Sequence, residues 1–302
     1  MKIAVTGGTG FVGQAVLDVL AAKGTAVQAL ARNIPQDRPD VAWVGGHLSD
    51  PAALDRLVAG ADAVIHIAGL TNAPDPAEFE MANVGGTGSV IAALDRAECK
   101  RLVFVSSLSA REPDLSAYGA SKARAESLVA ASGLDWTVVR PPGVYGPRDV
   151  DYLDMFKAAR FGIVPLPPGG ASSMIHVDDL AQLLVALVPS SARVRQKAFE
   201  PDDGREGGWS HKEMAAAIGD AVGRRVIAPH LPRTVLRGVA RLDRMLRGGA
   251  AKLTADRVGY MCHPNWVARS DKAVPRDIWT PAIPTREGLK STAMWYSQQG
   301  WL

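Results

Sequence analysis

The chain has 302 residues, 47% of them hydrophobic and 22% charged, with a formal net charge of +3 and a mean hydropathy of +0.02. That length fits one large α/β domain or a core domain with a smaller lobe, and the balance excludes a disordered, collagen-like or strongly nucleic-acid-binding chain. Two isolated cysteines, Cys99 and Cys262, make neither a disulfide framework nor a zinc site. The opening MKIAVTGGTG lacks the apolar core of a signal peptide, and no apolar run reaches the ~18 residues a membrane span needs, so a cytoplasmic location is expected.

In chain order, strands are expected at Lys2–Thr6, Ala26–Leu30, Val41–Val44, Ala63–Ile67, Leu102–Val105 and Thr137–Val139. Helices are expected between them at Val12–Lys23, Pro51–Ala59, Val84–Ala97 and Tyr118–Ser132. Short β-rich runs alternating with helices imply βαβ units and a parallel sheet. The fold class expected is α/β, a doubly wound Rossmann parallel sheet with a second, smaller C-terminal lobe. Residues 1–150 would form the nucleotide-binding domain, with a returning segment near 174–200. The rest of 151–302 would form mainly a substrate-binding lobe. A helix is expected at Asp179–Leu187, after HVDD, where His176 and the two aspartates organise a loop and cap rather than bind metal.

Directly after the first strand stands TGGTGFVG, with glycines at 7, 10 and 13. Gly7 permits the tight turn, Gly10 lets the backbone approach a pyrophosphate, and Gly13 lets the helix pack on the strand. Thr9, Phe11 and Val12 complete this cradle. An NAD site usually ends its second strand in an acid that accepts from the ribose 2′-hydroxyl. Here the strand ends in Ala31-Arg32, which suits a 2′-phosphate, so NADP is expected rather than NAD.

YGASK places Tyr118 and Lys122 one turn apart on one helix face, behind the strand LVFVSS. A phenol is a poor acid or base at neutral pH, and a neighbouring ammonium is expected to lower its pKa. Tyr118 could then move a proton while a cofactor moves hydride. Ser107, at the end of that strand, could polarise the substrate oxygen. His66, within a buried strand, reads as a core histidine.

These motifs, with HIAG, Asn83-Val84, RPPGVYGP and HVDDLA, resemble the extended short-chain dehydrogenase/reductase family of NAD-dependent epimerase/dehydratase type, over nearly the whole chain. The resemblance implies Ser107, Tyr118 and Lys122 as catalytic residues, with Tyr118 and Lys122 also touching the cofactor. It implies Ala68 and Gly69 along the cofactor ribose, and Pro141 to Val144 near the nicotinamide amide. It also implies a homodimer through the helices at 84–97 and 118–132. His47-Leu48 stands where the family usually has Asp-Leu against the adenine. Leu108 and Ser109 follow Ser107 where sugar-nucleotide 4,6-dehydratases carry Asp-Glu, which argues against dehydration. RPPGVYGPRD is closer to reductases and 3β-hydroxysteroid dehydrogenases. Three readings follow: an NADP-dependent oxidoreductase of a small-molecule carbonyl or carbinol, a nucleotide-sugar epimerase using the same residues, or a non-catalytic NADPH-binding accessory protein.

Residues 224–257 hold nine basic side chains against two acidic ones. Within them, 231–249 reads as a helix with Val235, Val239, Leu242 and Leu246 on one face and Arg233, Arg237, Arg241 and Arg244 on another. The plain expectation is a helix with its apolar face on the core and its arginines in water. The sharper one is a face that meets anionic groups, at a membrane surface or on a substrate.

Overall fold

The six expected strands form one parallel sheet in a computed structural model that describes residues Met1–Leu302. They are β1 Lys2–Thr6, β2 Ala26–Ala31, β3 Ala42–Gly45, β4 Ala63–His66, β5 Arg101–Val105 and β6 Asp135–Val139. The chain continues through β7 Gly143–Tyr145, β8 Ala171–Ser172, β9 Met174–His176, β10 Lys197–Phe199, β11 Trp209–Ser210 and β12 Asn265–Trp266. Its helices are α1 Phe11–Ala22, α2 Pro51–Val58, α3 Pro76–Phe79, α4 Gly86–Arg96, α5 Ala117–Ala131, α6 Leu153–Arg160, α7 Val177–Ala186, α8 His211–Ala221, α9 Arg233–Arg247, α10 Ala255–Met261 and α11 Thr285–Gln298.

The main sheet has seven strands in the order β3-β2-β1-β4-β5-β6-β10, all parallel. The order reverses between β1 and β4, and this switch point is where a doubly wound sheet opens a crevice at its strand ends. The seventh strand is short, so apolar patterning did not single it out. It joins the sheet because Lys197–Phe199 pair with Thr137–Val139.

Both faces of the sheet are covered, which explains why β4 and β5 are apolar without alternation. One core gathers Val16, Leu17 and Leu20 of α1 with Leu180, Leu183 and Leu184 of α7. The other gathers Leu54 and Leu57 of α2, Val90 and Leu94 of α4, and Val129 of α5. A third core lies in the C-terminal lobe, where Phe156, Ile218, Leu289 and Tyr296 from α6, α8 and α11 pack together.

His66 is a core residue, as expected. Its Nδ1 faces Thr6 Oγ1 at 2.6 Å and its Nε2 faces Thr87 Oγ1 at 3.1 Å. Burial holds it neutral, with its pKa down to about 3. His176 caps α7, its Nδ1 accepting from the Asp178 amide at 3.2 Å, while Asp179 accepts from the amides of Ala282 and Ile283.

Helix α9 departs from the plain expectation. Its buried residues are Leu236 and Ala240, whereas Val235, Val239, Leu242 and Leu246 are 45%, 45%, 54% and 76% exposed. The valine–leucine stripe is therefore an outer face, because the helix rests on α10 through only the narrow ridge of Leu236 and Ala240. No helix is long and apolar enough to cross a membrane.

Candidate active site

The glycine cradle sits at the end of β1. Gly7 takes φ +76°, and a Cβ there would lie 2.7 Å from the Ala68 amide nitrogen. A Cβ on Gly13 would strike the Gly7 carbonyl. Around Gly10 the only near atom is that same carbonyl, at 3.3 Å from an added Cβ. Gly10 is the N-cap of α1 and offers no side chain to the first-turn amides. The helix thus presents free N–H groups and a positive dipole end at an open backbone surface, which fits a dinucleotide pyrophosphate.

The ends of β2 and β3 flank this cradle. Ala31 is buried and Arg32 is exposed. Arg38, close by in sequence, is committed to Asp18 at 2.8 Å and Asp40 at 2.9 Å, whereas Arg32 pairs with no carboxylate. His47 is exposed and bonds to Ser49 at 2.8 Å, and Leu48 packs against Gly86 at the start of α4.

Ser107, Tyr118, Lys122 and Gly69 come together at the ends of β4 and β5. Ser107 caps the short turn Leu108–Arg111, its Oγ accepting from the Ser109 amide at 3.1 Å. The Leu108 amide donates to the Pro141 carbonyl at 3.1 Å, so the loop after β6 is tied to the Ser107 loop. Val144, in β7, pairs with Ile175 of β9. Helix α5 starts at Ala117 because the Ser116 hydroxyl caps the Gly119 amide at 2.9 Å. Gly119 is needed there, since a Cβ would lie 2.6 Å from the Ser109 carbonyl.

Tyr118 is buried, its ring 5.9 Å from that of Phe79 and 6.1 Å from that of Tyr260. Burial pushes its phenol up to about 12, and the neighbouring Ser107 hydroxyl opposes that only in part. Burial thus works against the lowering expected from the lysine. Lys122 is itself buried, donates to the Val105 carbonyl at 2.7 Å, and lies 4.7 Å from the Phe104 ring centroid. Burial brings its pKa down to about 8, against the pull of Glu126 one turn further along α5. Its Nζ is also 3.8 Å from the point where a Gly69 Cβ would stand, so the backbone after β4 runs close beside it.

The sequence marked Asn83 only as part of a motif and gave no role to Asp256, Glu126 or Glu200. Asn83 lies in a π-helical turn, Glu80–Gly85, and joins three elements. Its Oδ1 accepts from the Leu70 amide at 2.8 Å, and its Nδ2 donates to the Leu70 carbonyl and the Ser121 hydroxyl at 3.0 and 2.9 Å. Such π-turns recur at functional sites, and this one turns Asn83 towards α5. Asp256, from the lobe, accepts from the first amides of α5, Ala117 at 2.5 Å and Tyr118 at 3.4 Å. Behind Ser106, Glu126 accepts the Ser106 hydroxyl and pairs with Arg140 at 2.6 Å. Glu200 then bridges Arg140 at 3.4 Å and Arg111 at 3.0 Å.

Comparisons with known proteins bear on the family and the fold. Residues 7–190 match the family described as NAD(P)H-binding. A ceramide reductase of Caulobacter vibrioides is 33% identical over 318 residues, covering 99% of this chain and 96% of that protein. A 2-alkyl-3-oxoalkanoate reductase of Stenotrophomonas maltophilia is 32% identical over 329 residues, covering 96% and 98%. Among solved structures, a UDP-glucose 4-epimerase of Thermotoga maritima shares the fold with a TM-score of 0.74 at 19% identity, covering 99% of each chain. With its seven-stranded doubly wound sheet and its glycine cradle, the chain belongs to the extended short-chain dehydrogenase/reductase family and is an NAD(P)-dependent oxidoreductase.

Proposed function

We propose that this protein uses NADPH to reduce the carbonyl of a long-chain aliphatic substrate, of 3-oxo type, to the alcohol. The observation that carries the reading is the buried phenol of Tyr118 beside Ser107, one helical turn before the buried ammonium of Lys122. The two relatives similar over nearly the whole chain are named for a ceramide and for a 2-alkyl-3-oxoalkanoate, and both are reductases.

A bound NADPH supplies the hydride to the carbonyl carbon. The chain supplies the rest. Ser107 donates a hydrogen bond to the carbonyl oxygen and draws charge onto it. Tyr118, held protonated by its burial, gives its proton to that oxygen as the alcohol forms. The Lys122 ammonium stabilises the phenolate left behind. Gly7, Thr9, Gly10, Phe11, Val12 and Gly13 would hold the pyrophosphate, and Arg32 the 2′-phosphate. His47 and Leu48 would flank the adenine, Ala68, Gly69 and Lys122 the nicotinamide ribose, and Pro141 and Val144 the amide. Both walls of this crevice come from strand ends, where a doubly wound sheet binds its ligand.

A panel of long-chain 3-oxo acids and 3-oxo amides, followed by NADPH absorbance, tests the reading. Stoichiometric NADPH consumption supports it. Conversion of a sugar nucleotide without net consumption would replace it with epimerisation, and no turnover of any kind would leave a binding protein.

NADPH should bind more tightly than NADH by about 1–3 kcal/mol, the strength of a charge-assisted hydrogen bond to the 2′-phosphate. Arg32→Ala should narrow that gap. Equal dissociation constants for the two cofactors in the unaltered protein would overturn the NADP assignment.

The pH profile of kcat/KM should fall on the alkaline side, because Lys122 loses its charge as pH rises through about 8. Glu126 favours the charged form, so Glu126→Gln should lower the Lys122 pKa and move the fall to lower pH. An unmoved alkaline limb in the variant would show that Lys122 does not govern it.

A further inference from the structure

Helix α9 presents two stripes, one on each side of the ridge through which Leu236 and Ala240 rest on Val258 of α10. At about 100° per residue, Arg237, Arg241 and Arg244 fall on the flank opposite the exposed Val235, Val239, Leu242 and Leu246. These three arginines line a cleft of about 460 Å³. Its facing wall is apolar, made by Ala73, Pro74, Pro76 and Phe79.

None of the three arginines pairs with a carboxylate, nor does Arg233 at the start of α9, whereas three cations that follow are neutralised. Arg247 meets Asp243 at 3.3 Å, Lys252 meets Asp154 at 2.7 Å, and Arg257 meets Asp151 at 2.7 Å. Asp243, the only acid in α9, points at the Lys252 and Leu253 amides, accepting from both at 2.9 Å. Asp256 also borders the cleft, but its carboxylate is occupied by the amides that open α5. Arg237 and Arg241 stand at i,i+4, and Arg241 and Arg244 at i,i+3. Like charges at these spacings repel, so an anion among them relieves α9 as well as binding to it.

The cleft abuts the site of chemistry. Phe79, in its wall, lies 5.9 Å from the Tyr118 ring, the two rings tilted, and Asp256 accepts from the Tyr118 amide. We propose that the cleft takes the distal part of the substrate, with an apolar chain against Pro74, Pro76 and Phe79 and a phosphate-like anionic group among Arg237, Arg241 and Arg244. The proposal rests on the reading of Tyr118 as the site of carbonyl reduction and adds a requirement to it: the substrate is an anionic amphiphile.

Calorimetric titration with monomeric dodecyl phosphate tests the site without turnover. Unaltered protein should bind it at least about tenfold more tightly than it binds inorganic phosphate or dodecyl maltoside, since each lacks one half of the recognised chemistry. The Arg237→Gln, Arg241→Gln, Arg244→Gln triple variant should lose about tenfold or more. The side chains are exposed and repel one another, so its unfolding midpoint should not fall. Arg247→Gln, outside the cleft, should bind as the unaltered protein does. Equal affinity in the triple variant would overturn the site.

Dodecyl phosphate should also inhibit reduction competitively against the carbonyl substrate, and purely noncompetitive inhibition would break the link to Tyr118. Tyr118→Phe should keep full probe binding. Arginine-dependent probe binding in a protein that reduces no carbonyl substrate would overturn the reductase reading and leave the anion site standing. Co-sedimentation with phosphatidylglycerol vesicles that the triple variant loses would assign the anion to a lipid headgroup. Tight monomer binding without pelleting would assign it to a soluble amphiphile.

Discussion

Tyr118→Phe is expected to lower kcat by roughly 10²–10⁴-fold, the range for removing a positioned general acid, while NADPH affinity and the unfolding midpoint stay near those of the unaltered protein. The ring packs between Phe79 and Tyr260, and phenylalanine keeps both contacts. What is lost is the phenolic proton, whose group burial keeps protonated. Lys122 and His66 are poorly suited to replace it at neutral pH. The Lys122 ammonium is engaged with the Val105 carbonyl, and His66 is sealed between two threonines and stays neutral. Steady-state kinetics on a confirmed substrate, with cofactor binding measured separately, checks this. Turnover within a few-fold of the unaltered enzyme would remove Tyr118 from the mechanism.

Glu200→Leu is expected to cost on the order of 3–5 kcal/mol of stability, the range for leaving a buried charge without its partner. Glu200 has no exposed side-chain surface and accepts from Arg111, Arg140 and the Arg269 amide. Arg140 retains Glu126, but Arg111, itself 6% exposed, would keep only the carbonyls of Asn265 and Val267. Arg111 ends the turn that begins at Ser107, and its carbonyl partners flank β12 of the lobe. The loss should therefore reach activity as well as folding. Glu200→Gln, which keeps an acceptor for the Arg269 amide, should lose less. Denaturant titration measures both, and a loss under about 1 kcal/mol for Glu200→Leu would show that the network is not a support of the fold. Arg193, whose partner Asp277 lies in water with it, provides the contrast: Arg193→Ala should leave stability unchanged.

Local chemistry in the sequence determined the cofactor cradle and the Tyr118–Lys122 pair. A backbone that must turn tightly, meet a phosphate and pack a helix on a strand can use few residues other than glycine at 7, 10 and 13, and spacing alone brings Tyr118 and Lys122 to one helix face. The sheet was legible for the same reason, since strands covered on both faces must be apolar throughout. Only the tertiary structure decided the rest. Glu200 reaches Arg111 across 89 residues, and Asp256 reaches Ala117 across 139, so no window of sequence contains either pair. Spacing placed an ammonium one turn from Tyr118, but only the fold shows that Lys122 also donates to the Val105 carbonyl and that burial raises the phenol. In α9 the periodicity marked an apolar and a basic stripe and implied that the apolar one would be covered, which the structure overturns. That choice belongs to the neighbours, because Val258 of α10, with Leu231, Leu253 and Cys262, packs against Leu236 and Ala240, leaving the valines and leucines outside and turning the arginines over the cleft beside Phe79.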